Sequence, residues 1–130
     1  MQGTMSIFIS FVGAIIVAQL LKLFFRKDFT WKVFMEFGGM PSAHVAGVTA
    51  MMVSLYFIEG FSALFFVALI FSLIVMRDAL GVRAAVSLNS KAINSILKNK
   101  KLKEDTGHTL YEVIAGFILG IFIGIFVMVL

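Results

Sequence analysis

Two histidines and one glutamate stand out as groups able to do chemistry in a chain that is otherwise mostly apolar. His108 and Glu112 lie four residues apart in the stretch HTLYE, and on a helix this spacing places both side chains on one face. A carboxylate there can hold one imidazole nitrogen protonated and leave the other able to attack or to accept a proton. His44, in the stretch GGMPSAH, is the second histidine. The histidine pair therefore indicates nucleophilic or acid–base chemistry.

The residues around these histidines suit a phosphate group. Pro41 sets the backbone at a helix entrance, and Ser42 is a plausible helix cap whose hydroxyl or amide could also face an anion. Helix starts at residues 43 and 109 are expected to offer free backbone N–H groups. Cationic donors that could bind phosphate oxygens occur in the second half of the chain at Arg77, Arg83, Lys101 and Lys103.

The composition places this chemistry in a membrane. The chain has 130 residues, of which 61% are hydrophobic and 14% charged, with a mean hydropathy of +1.05. This apolar share is well above that of a soluble domain. Because a helix needs about 20 apolar residues per crossing, the length allows a single membrane domain over 1–130 with a handful of spans. Cysteine is absent, which excludes disulfides, thiolate metal sites and thiol nucleophiles.

Four apolar stretches predict an all-α integral membrane protein with four transmembrane helices, over 6–25, 43–58, 61–76 and 109–130. The first stretch is too long for the core of a signal peptide and lacks its cleavage pattern, so it is expected to be a retained span. The second and third form a tight hairpin around Glu59 and Gly60. In the fourth, Gly116, Gly120 and Gly124 recur every four residues, which predicts close helix packing.

Two further segments are predicted to lie outside the bilayer core. Residues 26–37 alternate charges with aromatic side chains, a pattern typical of an interfacial amphipathic segment. Residues 77–103 carry apolar side chains at helical spacing before a lysine cluster, which predicts a cytoplasmic amphipathic helix followed by a basic loop.

The positive charges predict the orientation. All of the basic residues fall at or between the span ends that share one membrane face, whereas the opposite face keeps only Glu59; they are Lys22, Arg26, Lys27, Lys32, Arg77, Arg83, Lys91, Lys98, Lys100, Lys101 and Lys103. Under the positive-inside rule this face is cytoplasmic. Both histidines belong to the same face. We therefore expect a multi-pass protein of the plasma membrane whose site faces the cytoplasm.

The motifs together resemble a known superfamily. PSAH resembles the PSGH signature of the type 2 phosphatidic acid phosphatases, and the H-x-x-x-E of residues 108–112 resembles the H-x-x-x-D of their final signature. GGMPSAH, then RDALGVR and LN, then LKEDTGHTLYEVIAG is similar to the divergent branch of that superfamily, which is related to acid phosphatases and vanadium haloperoxidases. The first signature of the superfamily, with its Arg-Pro pair, is missing, as is the Ser-Arg pair before the last histidine.

The resemblance implies metal-free phosphoryl transfer through a phosphohistidine, with no cofactor. His108 would be the nucleophile, Glu112 its orienting carboxylate and His44 the general acid. Phosphate oxygens would be held by side chains that are polar or basic, namely Ser42, Arg83, Lys103, Arg77 and Lys22. The implied substrate is a lipid phosphate, such as phosphatidic acid, phosphatidylglycerol phosphate or a polyprenyl phosphate. Because the relatives usually have a six-helix core, a homodimer could complete the fold.

Two other interpretations of the same residues stay open at this point. The basic pocket could bind or move anionic lipid headgroups without catalysis. Alternatively, the two histidines could ligate a haem. Turnover of a lipid phosphate would separate the phosphatase from the lipid binder, and a Soret absorption band would reveal a haem protein.

Overall fold

The computed structural model describes residues 2–26, 39–97, 101–104 and 106–130. In these ranges the chain forms five helices: α1 (Gln2–Arg26), α2 (Ala43–Glu59), α3 (Ala63–Leu80), α4 (Val82–Leu97) and α5 (Leu110–Val129). The architecture is therefore all-α, as the composition predicted. The interfacial segment predicted over 26–37 falls, after Arg26, outside the described residues, as do Lys98 and Lys100.

Three to four of the helices can cross a membrane. By length and apolar character, α1, α5 and the helical stretch beginning at Ala63 qualify, and α2 is apolar but shorter, with 17 residues. This last length is at the lower limit for a span. The protein is thus a membrane protein with several apolar helices, and the assignment of α2 as the fourth span remains a prediction.

Helix α2 lies at the centre of the bundle and packs against α1, α3 and α5. Its contacts are made by small side chains: Ala43, Ala46 and Ala50 form a buried cluster with Ala14 and Ala18 of α1. In a bilayer, apolar helices gain little from leaving lipid, so close contact between small residues supplies much of the association energy. Small residues on α2 thus let two neighbouring helices approach it closely.

The glycines of α5 face α2, which confirms the predicted packing role. A Cβ atom added at Gly116 would lie 2.5 Å from the carbonyl oxygen of Ser42, and one added at Gly120 would lie 2.5 Å from that of Ala46. Such distances are far below van der Waals contact, so only glycine fits at this crossing. The start of α5, which follows His108, is thereby held directly against the start of α2, which carries His44.

The ends of the helices follow from local sequence. Ser62 caps α3 by accepting a hydrogen bond from the Phe65 amide at 3.2 Å. Helix α3 continues through Arg77 to Leu80, and α4 begins at Val82 after Gly81. Helix α4 lies within the segment 77–103, of which the first residues belong instead to α3; the amphipathic, cytoplasmic placement of this segment stays a prediction. Residues 101–104 and 106–109 then lie along α4, leading to the start of α5.

Candidate active site

The His108 and Glu112 side chains form the predicted pair. Their Nδ1 and Oε2 atoms lie 3.1 Å apart, and the His108 side chain is only 2% exposed. The same Oε2 accepts a hydrogen bond from the Thr109 amide at 2.9 Å, while the Thr109 hydroxyl accepts one from the Glu112 amide at 3.4 Å. This reciprocal capping box begins α5. The carboxylate that orients the imidazole is therefore itself fixed by the start of the helix.

Burial governs the protonation state of His108. Loss of solvent lowers its pKa below the usual value of 6.5, and the positive charges of Lys22 and Arg83 lower it further. The hydrogen bond and the negative charge of Glu112 oppose this shift without reversing it. The imidazole is therefore neutral near pH 7. With its proton on Nδ1 facing Glu112, the lone pair is on Nε2, the arrangement that a nucleophile needs.

His44 lies beside this pair, on the first turn of α2. A backbone hydrogen bond of 3.0 Å from the Ser42 amide to the Glu112 carbonyl joins the starts of α2 and α5. The charges of Arg83, Lys22 and His108 all act on the His44 imidazole. His44 is exposed, whereas His108 is buried. The two histidines, far apart in sequence, thus belong to one electrostatic cluster.

Two basic residues reach the cluster from separate helices. Lys22 comes from α1 and is only 3% exposed, a degree of burial that is rare for lysine. Arg83, on the first turn of α4, forms an ion pair with Asp78 in which Nε and Oδ2 are 2.8 Å apart. Both cations act electrostatically on both histidines.

The other predicted phosphate ligands are placed differently. Arg77 and Lys103 are exposed, and the charges acting on the histidines come from other residues. Ser42 is the N-cap residue of α2, as predicted, but its hydroxyl makes no capping bond. The physical reason is close packing on Gly116 of α5, which leaves the Ser42 side chain fully buried.

The backbone N–H groups at the helix starts, which were expected to be free, are partly used in hydrogen bonds within the protein. The Ser42 amide donates to Glu112, and the capping box satisfies the amides of Thr109 and Glu112. These bonds build the site rather than offering donors to an anion. The Ser42 hydroxyl has no hydrogen-bond partner among the described residues, and its role toward phosphate stays a prediction.

An apolar groove begins next to the cluster. It encloses about 340 Å³ between α2, α3 and α5. Leu80, Leu110 and Val113 line it near the histidines, and Met52 and Phe117 line its far part. Because Leu80 ends α3 and Leu110 begins α5, the groove extends from the level of His108 toward the middle of the bundle.

Residues 4–123 match the family described as the divergent PAP2 family. The chain belongs to the divergent PAP2 family. One relative is the uncharacterized membrane protein YuiD of Bacillus subtilis (strain 168). It is 34% identical over 138 aligned residues, and the alignment covers 87% of each chain. No solved structure matches the chain significantly.

Two residues that contribute to the candidate site of this divergent PAP2 protein were not predicted from the sequence. Asp78 was overlooked, although the opposite charges in RDALGVR were a visible signal for its pairing with Arg83. Thr109 was assigned only to a helix start, although T-x-x-E before an apolar run is the signature of a capping box. Both residues orient side chains that the sequence analysis had selected.

Proposed function

We propose that this divergent PAP2 protein is an integral-membrane phosphatase that hydrolyses lipid phosphates through a phosphohistidine on His108. The observation that carries the proposal is the buried His108–Glu112 pair, with 3.1 Å between Nδ1 and Oε2, in one electrostatic cluster with His44 and two buried or half-buried cations. Phosphoryl transfer depends mainly on positioning and charge stabilisation, and this cluster provides both.

In the first step, Nε2 of His108 attacks phosphorus. A P–N bond forms, the P–O bond to the lipid alcohol breaks, and His44 donates a proton to the leaving oxygen. Glu112 stabilises the positive charge that develops on the His108 ring. The negative charge of the bound phosphate favours the protonated form of His44 that this step requires.

In the second step, water attacks the phosphohistidine. His44, now neutral, accepts a proton from the water as the new O–P bond forms and the P–N bond breaks, which regenerates the starting protonation states. Lys22 and Arg83 stabilise the negative charge on the phosphoryl oxygens in both steps. Ser42, Arg77 and Lys103 stay as further candidates for phosphate contacts.

The groove supports a lipid ester over a soluble phosphate. Its accessible lining is apolar and includes Leu110 and Val113, which closely follow His108 in the chain, so an acyl or prenyl chain lying in it would bring the attached phosphate toward the cluster. Phosphatidic acid, phosphatidylglycerol phosphate and a polyprenyl phosphate all fit this description. The charge distribution of the sequence supports a cytoplasmic site in the plasma membrane, and the small bundle supports assembly as a homodimer.

Phosphate release from purified protein in detergent micelles tests the proposal. The substrates are the three lipid phosphates, and the variants are His108→Ala and His44→Ala, with Lys91→Ala on exposed α4 as the control. We expect both histidine variants to lose at least about 100-fold in kcat, with the control unchanged. Labelled lipid phosphate should also leave acid-labile phosphate on the wild-type protein quenched during turnover but none on His108→Ala.

Two results would contradict this function. Unchanged phosphate release in both histidine variants would refute the mechanism. Binding of lipid phosphates by the wild-type protein without any turnover would favour the lipid-binding alternative, in which affinity depends on Arg83 and the lysines more than on His108.

A further inference from the structure

The loop that carries His108 is attached along the length of α4. Residues 101–108 run antiparallel to that helix, and successive loop residues contact helix residues ever closer to its start. Residue 105 apart, this stretch is described by the structure. The loop therefore has a defined path from the far end of α4 to the histidine cluster.

Asn94 makes the contacts at the far end of this path. Its Nδ2 group donates to the Leu102 carbonyl oxygen at 2.8 Å and to Oε1 of Glu104 at 2.8 Å. Its Oδ1 accepts from the Leu102 amide at 3.1 Å. Both donors and the acceptor of the side-chain amide are thus used on the loop. Asn94 is 5% exposed, although the residues on either side of it are exposed.

The loop stays on the helix from there to the site. The Ser87 hydroxyl donates to the Glu104 carbonyl, and the Thr106 hydroxyl donates to the Arg83 carbonyl at 3.0 Å. A Cβ atom at Gly107 would lie 2.8 Å from the Cα atom of Ala84, so the two backbones are in direct contact.

The path ends at the nucleophile. The amide of His108 donates to the carbonyl of Ala79, near the end of α3, at 3.2 Å. The series of contacts therefore has Asn94 at one end and His108 at the other.

We propose that Asn94 is a positioning residue for His108, acting through the loop 101–108 from about 20 Å away along α4. The Asn94 side-chain amide fixes the position of the loop at Leu102 and Glu104. The contacts between there and His108 then determine where the imidazole lies. Its catalytic consequence rests on the proposed function, but its structural consequence does not. Without the Asn94 bonds, the start of the loop is no longer fixed to α4 at Leu102, and we expect the His108 ring to become more exposed and less well oriented.

A matched pair of asparagines allows a controlled test. Asn89 lies on the same helix and is exposed, so Asn89→Ala is the control for Asn94→Ala. Asn94→Asp is the second variant: it is nearly isosteric and keeps an acceptor for the Leu102 amide. However, it replaces the donor with an oxygen that faces two acceptors. Melting temperatures identify any variant that does not fold, and Asn94→Asp keeps the test decisive if Asn94→Ala fails.

Histidine NMR gives a readout that needs no activity. The chain has only two histidines, so ring-labelled protein in micelles gives two titrating signals, which His44→Asn assigns. Because burial lowers the His108 pKa, we expect that pKa to rise toward 6.5 in both Asn94 variants and to stay unchanged in Asn89→Ala. On a lipid phosphate that the wild type hydrolyses, kcat should fall at least tenfold, with KM within about twofold.

The two proposals fail differently. If folded Asn94→Asp and Asn94→Ala titrate like Asn89→Ala and keep full kcat, the positioning role is overturned. If the wild type hydrolyses no lipid phosphate, the proposed function fails, and the NMR titrations alone still decide whether Asn94 positions His108.

Discussion

Replacing Gly120 with alanine directly tests how closely α2 and α5 pack. The new Cβ atom would lie 2.5 Å from the Ala46 carbonyl oxygen and 2.6 Å from Cβ of Thr49, whereas ordinary contact begins near 3.4 Å. Neither neighbour is the flexible end of a long side chain. The two helices must therefore separate locally by about 1 Å to accept one methyl group.

The size of the effect follows from two opposing contributions. Overpacking of this kind costs about 1–3 kcal/mol, while exchanging glycine for alanine within a helix returns about 1 kcal/mol through helix propensity. Gly13, on α1, has open space where its Cβ would be. Gly13→Ala therefore gains helix propensity without any overpacking. The difference between the two variants, about 1–3 kcal/mol, isolates the packing term.

Thermal unfolding in detergent measures this difference. Gly120→Ala should melt roughly 5–10 °C below Gly13→Ala, and Gly13→Ala should melt at or slightly above the wild type. Equal melting temperatures for the two alanine variants would refute the close contact between α2 and α5 and, with it, the way in which the two histidines are brought to one level.

Three further outcomes are expected at the site. Neutral His108 is the attacking form, so kcat/KM should rise with pH through the lowered pKa of His108 and fall again where His44 loses the proton that it donates to the leaving oxygen. Glu112→Gln removes the interactions that raise the His108 pKa, so the rise should move to lower pH in pH–rate profiles and kcat should fall about 100-fold. Asp78→Asn should raise KM several-fold, because Arg83 loses the carboxylate that orients its guanidinium. Stability measured by melting should change by less than about 1 kcal/mol, because the pair is partly exposed. Ile114→Trp, which fills the groove, should raise KM for long-chain lipid phosphates but not for short-chain ones in the same assay.

These outcomes have built-in controls. Phe8 lines a second apolar pocket at the other end of the bundle, and Phe8→Trp should leave both chain-length classes unaffected. A Glu112→Gln enzyme with an unshifted pH profile would contradict the assigned pair, and unchanged KM in Asp78→Asn would show that the ion pair does not orient a phosphate ligand.

The sequence predicted the parts of the site that depend on local spacing. His108 and Glu112 are four residues apart, and helical geometry alone brings them together. His44 could be placed at the same membrane level because the order of the spans fixes which ends share a face. The first inference rests on helical periodicity and the second on the order of the spans, and neither depends on tertiary contacts.

Residues whose role depends on tertiary packing were harder to predict. Asn94 and Asn89 are indistinguishable in the sequence of an amphipathic helix, and only the path of the returning loop buries one of them. Ser42 looks like an ordinary cap, but Gly116 brings α5 so close that the serine hydroxyl is buried without a capping bond. In both cases a contact between segments distant in sequence determined the outcome.

The short central helix has a consequence for how a substrate reaches the site. Helix α2 has 17 residues, about 25 Å, against a hydrocarbon core of about 30 Å. Gly3 of α1 packs near Ile58 at the far end of α2, and Gly47 packs against Ile15, so α1 runs antiparallel to α2 and continues roughly 10 Å beyond the level of His44 to Arg26. If α2 spans the membrane as predicted, we expect the proposed reactive groups to lie in a depression below the headgroup plane. A lipid can enter it sideways from its own leaflet, whereas a phosphate ester dissolved in water would have to give up its hydration first.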